Sequence, residues 1–379
     1  MTPPLRVLSI FGTRPEAVKM APVVHRLAQT PGIESQVCVT AQHRQMLDQV
    51  LDLFQIQPEV DLDLMRPNQS LPDLTAAILT RLDPILENLR PDWILVQGDT
   101  TTVMAAALLA FYRGICVGHV EAGLRTGDKR QPFPEEINRR MTSVIADLHF
   151  APTKHNRQNL LAEGIPGDQI VVTGNTVIDA LQAIAARPAP PEAGDLLAKL
   201  GVAPGGKRLV YITAHRRENF GRPLEQICEA LHYLAEEYCG RVEFVYPVHL
   251  NPNVQGPVYR MLGELENVTL LPPMDYFPHI HLLKQASLVL TDSGGIQEEA
   301  PSLGVPTLVL REVTERPEGI EAGTLALVGT DPQRIITATH RLLDDPAAHA
   351  AMARAVNPFG DGQAAGRIVQ ALLAQSEPQ

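Results

Sequence analysis

The chain has 379 residues, 45% of them hydrophobic and 20% charged, a balance that suits a folded protein with material for two cores and excludes fibrous or disordered classes. Its formal charge of -11 argues against a surface built to grip a nucleic-acid backbone, although a phosphorylated metabolite could be met by a few local cations. No window approaches the ~18 apolar residues of a spanning helix, and the N-terminus MTPPLRVLSIFG has too short an apolar run for a signal peptide, so a cytoplasmic protein without membrane contact is expected.

In chain order, residues 5–11 form a near-continuous apolar run, the mark of a strand buried on both faces of a parallel sheet. The run enters Gly12-Thr13-Arg14-Pro15 and then a helix over about 16–29, with proline at a helix start, where its missing N–H is harmless. A strand at 37–40 precedes a helical stretch through Met46, Val50 and Phe54. Strands at 93–96 and 115–120 flank an alanine-rich helix over 102–112. Another helix begins near Glu135, and strand, helix and strand follow to Thr173. This alternation predicts a doubly wound α/β domain.

The composition then changes. RPAPPEAG and GVAPGGK bracket a short helical piece at 195–200, so 187–207 reads as a linker between a first domain over 1–186 and a second over 208–360. Strands at 209–213, 242–245 and 287–290, with a helix over 224–237, restart the pattern. The final helix, about 363–374 in a tail of 361–379, has apolar residues spaced to pack back on the first domain. The fold class expected is α/β, two Rossmann-like doubly wound domains facing a central cleft. Two motifs are decoys. GVAPGGKR (201–208) has Arg where a P-loop needs Ser or Thr and precedes a strand instead of following one; and no GxGxxG follows any strand, which argues against NAD. The four cysteines, Cys38, Cys116, Cys228 and Cys239, form no CxxC pair and read as buried free thiols, so no metal and no cofactor are expected.

The most informative stretch is 291–306, TDSGGIQEEAPSLGVP. An apolar strand meets a Ser-Gly-Gly turn that opens a helix. Gly294 and Gly295 permit close approach, Ser293 can cap the helix, and free first-turn N–H groups favour phosphate. Glu298 and Glu299 suit ribose hydroxyls. Elsewhere at strand ends stand the cations Arg14 and Lys19, Asp99 in GDT, Glu121, the pair Glu135-Glu136, and His215 in AHRREN. For any one of these, capping or ion pairing is the ordinary alternative; their shared placement at carboxyl ends of strands points to a site.

The motifs FGTRPEAVKMAP, QGDTTT, GHVEAGLRTGD, PFPEEINR, GNTVIDA, AHRRENFGR, TDSGGIQEEAPSLGVP, TERPE and NPFGDGQA resemble those of the non-hydrolysing UDP-N-acetylglucosamine 2-epimerases, in order from Phe11 to about Gly366. The resemblance implies a glycosyltransferase-B type fold, a homodimer, and reversible conversion of UDP-GlcNAc to UDP-ManNAc, feeding ManNAc-type sugars to cell-surface polysaccharide. It implies acid–base or catalytic roles for Asp99, Glu121, Glu135 and His215, and a diphosphate grip from Arg14, Lys19 and His215. Ser293, Gly294, Gly295 and Arg316 would hold phosphate, Glu299 the ribose, and Met274 and His279 the uracil side, where some members carry Gln and Phe. Gln42, Gln45 and His249 resemble positions at which bacterial members hold a second UDP-GlcNAc as activator. A glycosyltransferase of the same fold, a hydrolysing epimerase and a non-catalytic sugar-nucleotide sensor are the rivals; three carboxylates favour the first reading over all three.

Overall fold

The structure, a computed structural model, describes residues 3–40, 44–66 and 69–376. It comprises two compact α/β units, Met1–Ala180 together with Phe359–Gln379, and Leu181–Pro358.

Within the described residues the first unit has seven strands: β1 (Leu5–Phe11), β2 (Ile33–Val39), β3 (Val60–Asp61), β4 (Trp93–Gln97), β5 (Cys116–Val120), β6 (Leu148–Ala151) and β7 (Ile170–Val172). They lie in the order β3-β2-β1-β4-β5-β6-β7, and every pairing is parallel. Leu8, Ile10, Ile94, Val96 and Val117 project into a core shared with helices Leu71–Leu89 and Thr101–Tyr112. The strand order reverses between β1 and β4, and such a reversal opens a crevice beyond the carboxyl ends of the two strands.

The second unit repeats the plan with β8 (Arg208–Thr213), β9 (Val242–Pro247), β10 (Val268–Leu271), β11 (Ala286–Thr291), β12 (Thr307–Val309) and β13 (Leu325–Leu327), ordered β10-β9-β8-β11-β12-β13 and again all parallel. Val210, Ile212, Phe244, Tyr246, Leu288 and Leu290 form its central core. Its order reverses between β8 and β11.

The differences from sequence expectation have local causes. Helix Leu71–Leu89 and the two-residue β3 went unforeseen: Pro72 and Pro84 interrupt the helical pattern, yet Pro72 lies in the first turn, where no N–H is needed, and Ser70 caps the start by accepting Asp73 N at 3.2 Å. Residues 187–207, expected as a linker, belong to the second unit. Helix Pro191–Leu200 packs there on helix Tyr276–Gln285, Ala193 is fully buried, and Lys284 Nζ donates to Ala185 O at 2.8 Å. The P-loop look-alike is the turn that follows this helix: Gly201 ends it with φ 69 and Lys207 pairs with Glu243 at 2.5 Å. The cysteines carry no disulfide, but only Cys38 and Cys228 are fully buried, with burial pushing both thiols up to about 12; Cys239, expected inside, is exposed just past the helix Arg222–Glu237. Helix Ala364–Ser376 returns to the first unit, where it packs on helix Arg14–Ala28 and Asp179 accepts Ala364 N and Ala365 N at 3.2 and 2.9 Å.

Gly118, in the middle of β5, lets the sheet face close: a Cβ there would lie 2.5 Å from Leu95 Cδ2 and 3.1 Å from Phe150 Cε2. Gly118→Val should overpack that face and cost about 1–3 kcal/mol of unfolding free energy. Urea unfolding followed through Trp93, the sole tryptophan and buried at the start of β4, would detect it; an unchanged midpoint would contradict the packing.

Candidate active site

In each unit candidate residues stand at the carboxyl ends of strands: Arg14 after β1, Asp99 after β4 and Glu121 after β5 in the first, and His215 after β8 and Ser293 after β11 in the second. In the first unit a capping box closes the turn after β1: Thr13 caps helix Arg14–Ala28, and Glu16 turns back to accept Gly12 N at 2.8 Å and Thr13 N at 2.6 Å. The other oxygen of Glu16 accepts Thr100 Oγ1 at 2.6 Å, tying the turn after β1 to the turn after β4 across the reversal. Burial pushes the Glu16 carboxyl up, against these hydrogen bonds. Gly12 is obligatory, since a Cβ would fall 2.0 Å from Thr40 Oγ1. Arg14 stands half-buried at the first helical position and makes no side-chain hydrogen bond or ion pair among the described residues.

β5 runs straight into Glu121, whose backbone is left-handed at φ 65, a conformation that costs a non-glycine residue about 1–2 kcal/mol. The residue is 8% exposed. Its Oε1 receives Lys19 Nζ at 2.5 Å and Asn175 Nδ2 at 3.2 Å, and its Oε2 receives Gln97 Nε2. Gly98 abuts the same oxygen; a Cβ on it would lie 3.6 Å away. His119 Nε2 donates to Gly98 O at 2.7 Å, so the ring carries its proton on Nε2. The next residue, Asp99, accepts Arg139 Nη2 on its carboxylate and Asn138 Nδ2 on its carbonyl at 2.9 Å.

Glu135 and Glu136, indistinguishable in sequence, part company at the start of helix Glu135–Ile145. Glu136 is wholly buried and braces the preceding loop, accepting Thr126 N at 3.2 Å and Arg140 Nε at 3.1 Å. Glu135 is half-buried, and its Oε2 has no hydrogen-bond partner among the described residues.

In the second unit Asp292, directly after β11, is fully buried and accepts His215 N and Arg216 N, both at 2.8 Å, and Asn219 Nδ2 at 3.0 Å. It thereby fixes the turn after β8, across that unit's reversal. Its other oxygen, without a hydrogen-bond partner among the described residues, lies 3.8 Å from His215 Nδ1. Burial lowers the His215 imidazole, while Asp292 pulls it back up. Helix Gly294–Ser302 begins alongside. The guanidinium of Arg316 lies over Gly294, so close that a Cβ would come within 2.9 Å of Nη1, and Glu298 Oε1 holds it at 2.6 Å. Glu299 accepts Tyr276 OH at 3.2 Å and faces His279 Nε2 at 3.9 Å, while His279 Nδ1 meets Tyr211 OH at 2.7 Å.

Some expected details differ. Ser293 is the N-cap residue by backbone but makes no side-chain cap; Thr291 Oγ1 instead accepts Ser293 N at 2.9 Å, so the serine hydroxyl has no part in holding the helix start. Lys19, expected as part of a cationic grip, is paired with Glu121. Glu298, expected to face ribose, is spent on Arg316. Met274 is half-buried just before helix Tyr276–Gln285. His249 stacks on His215 with ring centroids 5.3 Å apart and planes 8° from parallel. Gln42 lies outside the described residues, as does the Gln45 side chain. Sequence reasoning missed Glu16, Gln97, Arg139, Asn175 and Asp292. Asp292 carried the same signal as Glu121, an acid immediately after an apolar strand; the others become visible only through their partners. Among the described residues no group of three or more His, Cys, Asp or Glu side chains is placed to hold a metal ion, and no helix is long and apolar enough to cross a membrane.

Two Rossmann-like units, each with its polar cluster at a switch point, define an α/β protein of the glycosyltransferase-B type. The family model for UDP-N-acetylglucosamine 2-epimerase matches residues 25–373. The UDP-N-acetylglucosamine 2-epimerases of Yersinia pestis and Escherichia coli K12 are 55% and 54% identical over 370 residues, covering 97% of this chain and 98% of each relative. The crystal structure of the Neisseria meningitidis UDP-GlcNAc 2-epimerase bound to UDP-GlcNAc superposes with a TM-score of 0.88 at 48% identity, covering 97% of this chain and 100% of that one. The Methanocaldococcus jannaschii enzyme in complex with UDP-GlcNAc and UDP gives 0.79 at 32%, covering 97% and 99%. The chain belongs to the UDP-N-acetylglucosamine 2-epimerase family.

Beneath the site, β5 and β6 set His119 beside His149 in register, both fully buried. Burial lowers His119 to about 3 and His149 to about 4, from an ordinary 6.5. The unfolded chain therefore binds more protons than the folded one in this window. The stabilisation is complete above pH 6.5 and is lost as pH falls toward 4 for His149 and 3 for His119. The melting temperature should drop on acidification below pH 6.5, and His149→Gln should flatten the part of that drop between pH 6.5 and about 4; a variant profile parallel to wild type would refute this.

Proposed function

We propose that this chain interconverts UDP-N-acetylglucosamine and UDP-N-acetylmannosamine without hydrolysis, eliminating UDP to 2-acetamidoglucal and adding it back. The observation that carries the reading is Glu121: a carboxylate taken almost out of water, on strained backbone, held by three donors and abutted by the residue that precedes Asp99. Strain and burial together are what a reacting group needs and a merely structural one avoids. The bound UDP-GlcNAc of the Neisseria meningitidis relative supports the same substrate.

The C2 hydrogen of a closed sugar ring has no adjacent carbonyl, so direct deprotonation is prohibitive. Breaking the C1–O bond sends its electron pair to the β-phosphate oxygen and leaves an oxocarbenium-like centre that acidifies C2. A carboxylate then takes the C2 proton and the C1=C2 bond forms. In return, a second carboxyl group protonates C2 from the opposite face and the UDP oxygen rejoins C1. Asp99, Glu121 and Glu135 are the groups for these proton transfers. Arg14, His215, Arg316 and the helix start at Ser293-Gly294-Gly295 meet the diphosphate, Glu299 the ribose hydroxyls, and His279 with Met274 the uracil. The steps consume no oxidant and call for neither NAD nor a metal.

The homodimer fits an exposed apolar stripe in the first unit, Ile137, Met141 and Val144 at helical spacing, with Phe111 and Tyr112 exposed on the neighbouring helix. A second UDP-GlcNAc acting as activator at Gln42, Gln45 and His249 is supported by the stacking of His249 on His215, which lets occupancy of one residue bear on the other. The product would supply ManNAc-type units for cell-surface polysaccharide from the cytoplasm.

Proton NMR of UDP-GlcNAc with enzyme in D2O should show deuterium at C2 of both epimers without stoichiometric free UDP; stoichiometric release would sink the non-hydrolysing reading. Asp99→Asn, Glu121→Gln and Glu135→Gln should each slow turnover by at least ~100-fold while UDP binding persists. Near wild-type turnover in any two would return those carboxylates to structural roles.

The His215 ring, lowered by burial, is neutral at pH 7 in the free protein, and a bound diphosphate favours its protonated form. UDP binding should therefore take up a proton near neutral pH, visible by calorimetry in buffers of different ionisation enthalpy. Arg14→Ala should weaken UDP binding without changing that uptake, whereas His215→Asn should abolish it. Uptake that survives in His215→Asn would place the titrating group elsewhere.

A further inference from the structure

Asn175 occupies an unusual position in the first unit. It is buried, and each of its polar groups is engaged. Nδ2 donates to Glu121 Oε1 at 3.2 Å, Oδ1 accepts Val177 N at 3.1 Å, and its backbone N–H donates to Phe359 O at 2.7 Å. That last bond comes from the segment at which the chain re-enters the first unit. The two stretches touch backbone to backbone: a Cβ on Gly174, at φ 88, would lie 3.2 Å from Gly360 Cα, and one on Gly360, at φ 148, would lie 3.3 Å from Asn175 N. Two further contacts fasten the return. Arg367 Nη1 donates to Thr173 O at 2.8 Å, and Asp179 accepts the first N–H groups of helix Ala364–Ser376. Phe359 itself is fully buried. All of these contacts converge on residues 173–179, and the side chain that leaves this short segment toward Glu121 is Asn175.

We infer that Asn175 is a positioning residue for the epimerase reaction, and that the returning C-terminal segment sets its aim on Glu121. The inference rests on Glu121 being one of the proton-transfer groups. Lys19 sets a positive charge 2.5 Å from Glu121 Oε1; the neutral Asn175 amide supplies direction. It occupies one lone pair of Oε1 and leaves the carboxylate one orientation relative to Gln97 and Gly98. Among the described residues, Lys19 from helix Arg14–Ala28 and His119 from β5 are charged or titratable groups that face Glu121. A donor to the ionised form makes a carboxyl more acidic and lowers its pKa, so removing it must move the titration upward.

Asn175→Asp is the discriminating variant. It keeps the shape and the acceptor for Val177 N, so the turn is preserved, yet it replaces the donor with a negative charge facing Glu121. The expected result is a fall in kcat of about tenfold or more, KM within threefold, and an acidic limb of the kcat profile moved upward by about one pH unit, since a lost hydrogen bond to a charged group is worth about that much. Gly360→Ala, which presses a methyl group on Asn175 N, should show the same signature in weaker form. A slower enzyme with an unmoved limb in Asn175→Asp would overturn the assignment and leave Asn175 a packing residue. Glu121→Gln run in parallel separates the two claims: if it retains turnover, the role of Glu121 fails; if it is inactive while Asn175→Asp keeps wild-type kcat and limb, only the present inference fails.

Discussion

A carboxylate removed from water needs compensation on every side, and the first unit is arranged to give it to Glu121. Taking an ionised group into a protein interior costs several kcal/mol unless charge and hydrogen bonds replace the lost hydration. Lys19 provides the charge, and Gln97 and Asn175 each donate to one of the Glu121 oxygens. Each donor comes from a different place: the helix after β1, the end of β4, and the turn after β7. Glu121 can keep its geometry only if these elements keep theirs. Glu16 serves that end, joining the turns after β1 and β4 through Gly12, Thr13 and Thr100.

The second unit solves the converse problem, holding positive character where an anion would sit. Its central acid, Asp292, spends one oxygen on two backbone N–H groups and Asn219, which shapes the turn that presents His215. The helix that starts two residues later contributes the partial positive charge of its first turn, and Arg316 lies over Gly294 at that very end. Glu298 and Glu315 flank the guanidinium, so its orientation is fixed before any ligand arrives. A preorganised cation loses less entropy on binding than a mobile one. In both units one buried carboxylate builds the turn and a neighbouring group is left to act.

Much of this was legible in the sequence. The apolar runs of β1, β4, β5, β8 and β11 are long enough to read as buried parallel strands, and the glycine or acid that follows β1, β4, β5 and β11, like His215 two residues past β8, marks where chemistry can sit. TDSGG opening a helix, GDT after β4 and the glutamate after GHV are local signals, carried by residues a few positions apart. Short-range grammar of this kind also exposed GVAPGGKR as a false P-loop, because the order of strand and turn was wrong.

Tertiary structure alone decided how these groups share the work. Glu135 and Glu136 are chemically identical neighbours, and only the helix phase at Pro134 buries one against Thr126 and Arg140 while leaving the other with an oxygen that has no partner among the described residues. Lys19 lies 102 residues from Glu121 and Asn175 lies 54 from it, separations across which no periodicity or spacing rule operates. The apolar spacing of the final helix foretold its return to the first unit, but the close backbone contacts at Gly174 and Gly360 that fix Asn175 have no signature in the sequence. The sequence determined the strands, the helices and which residue types end them, because propensity and hydrophobic period are local. The charge state and aim of each functional group came from the fold, because burial and pairing are set by residues distant along the chain.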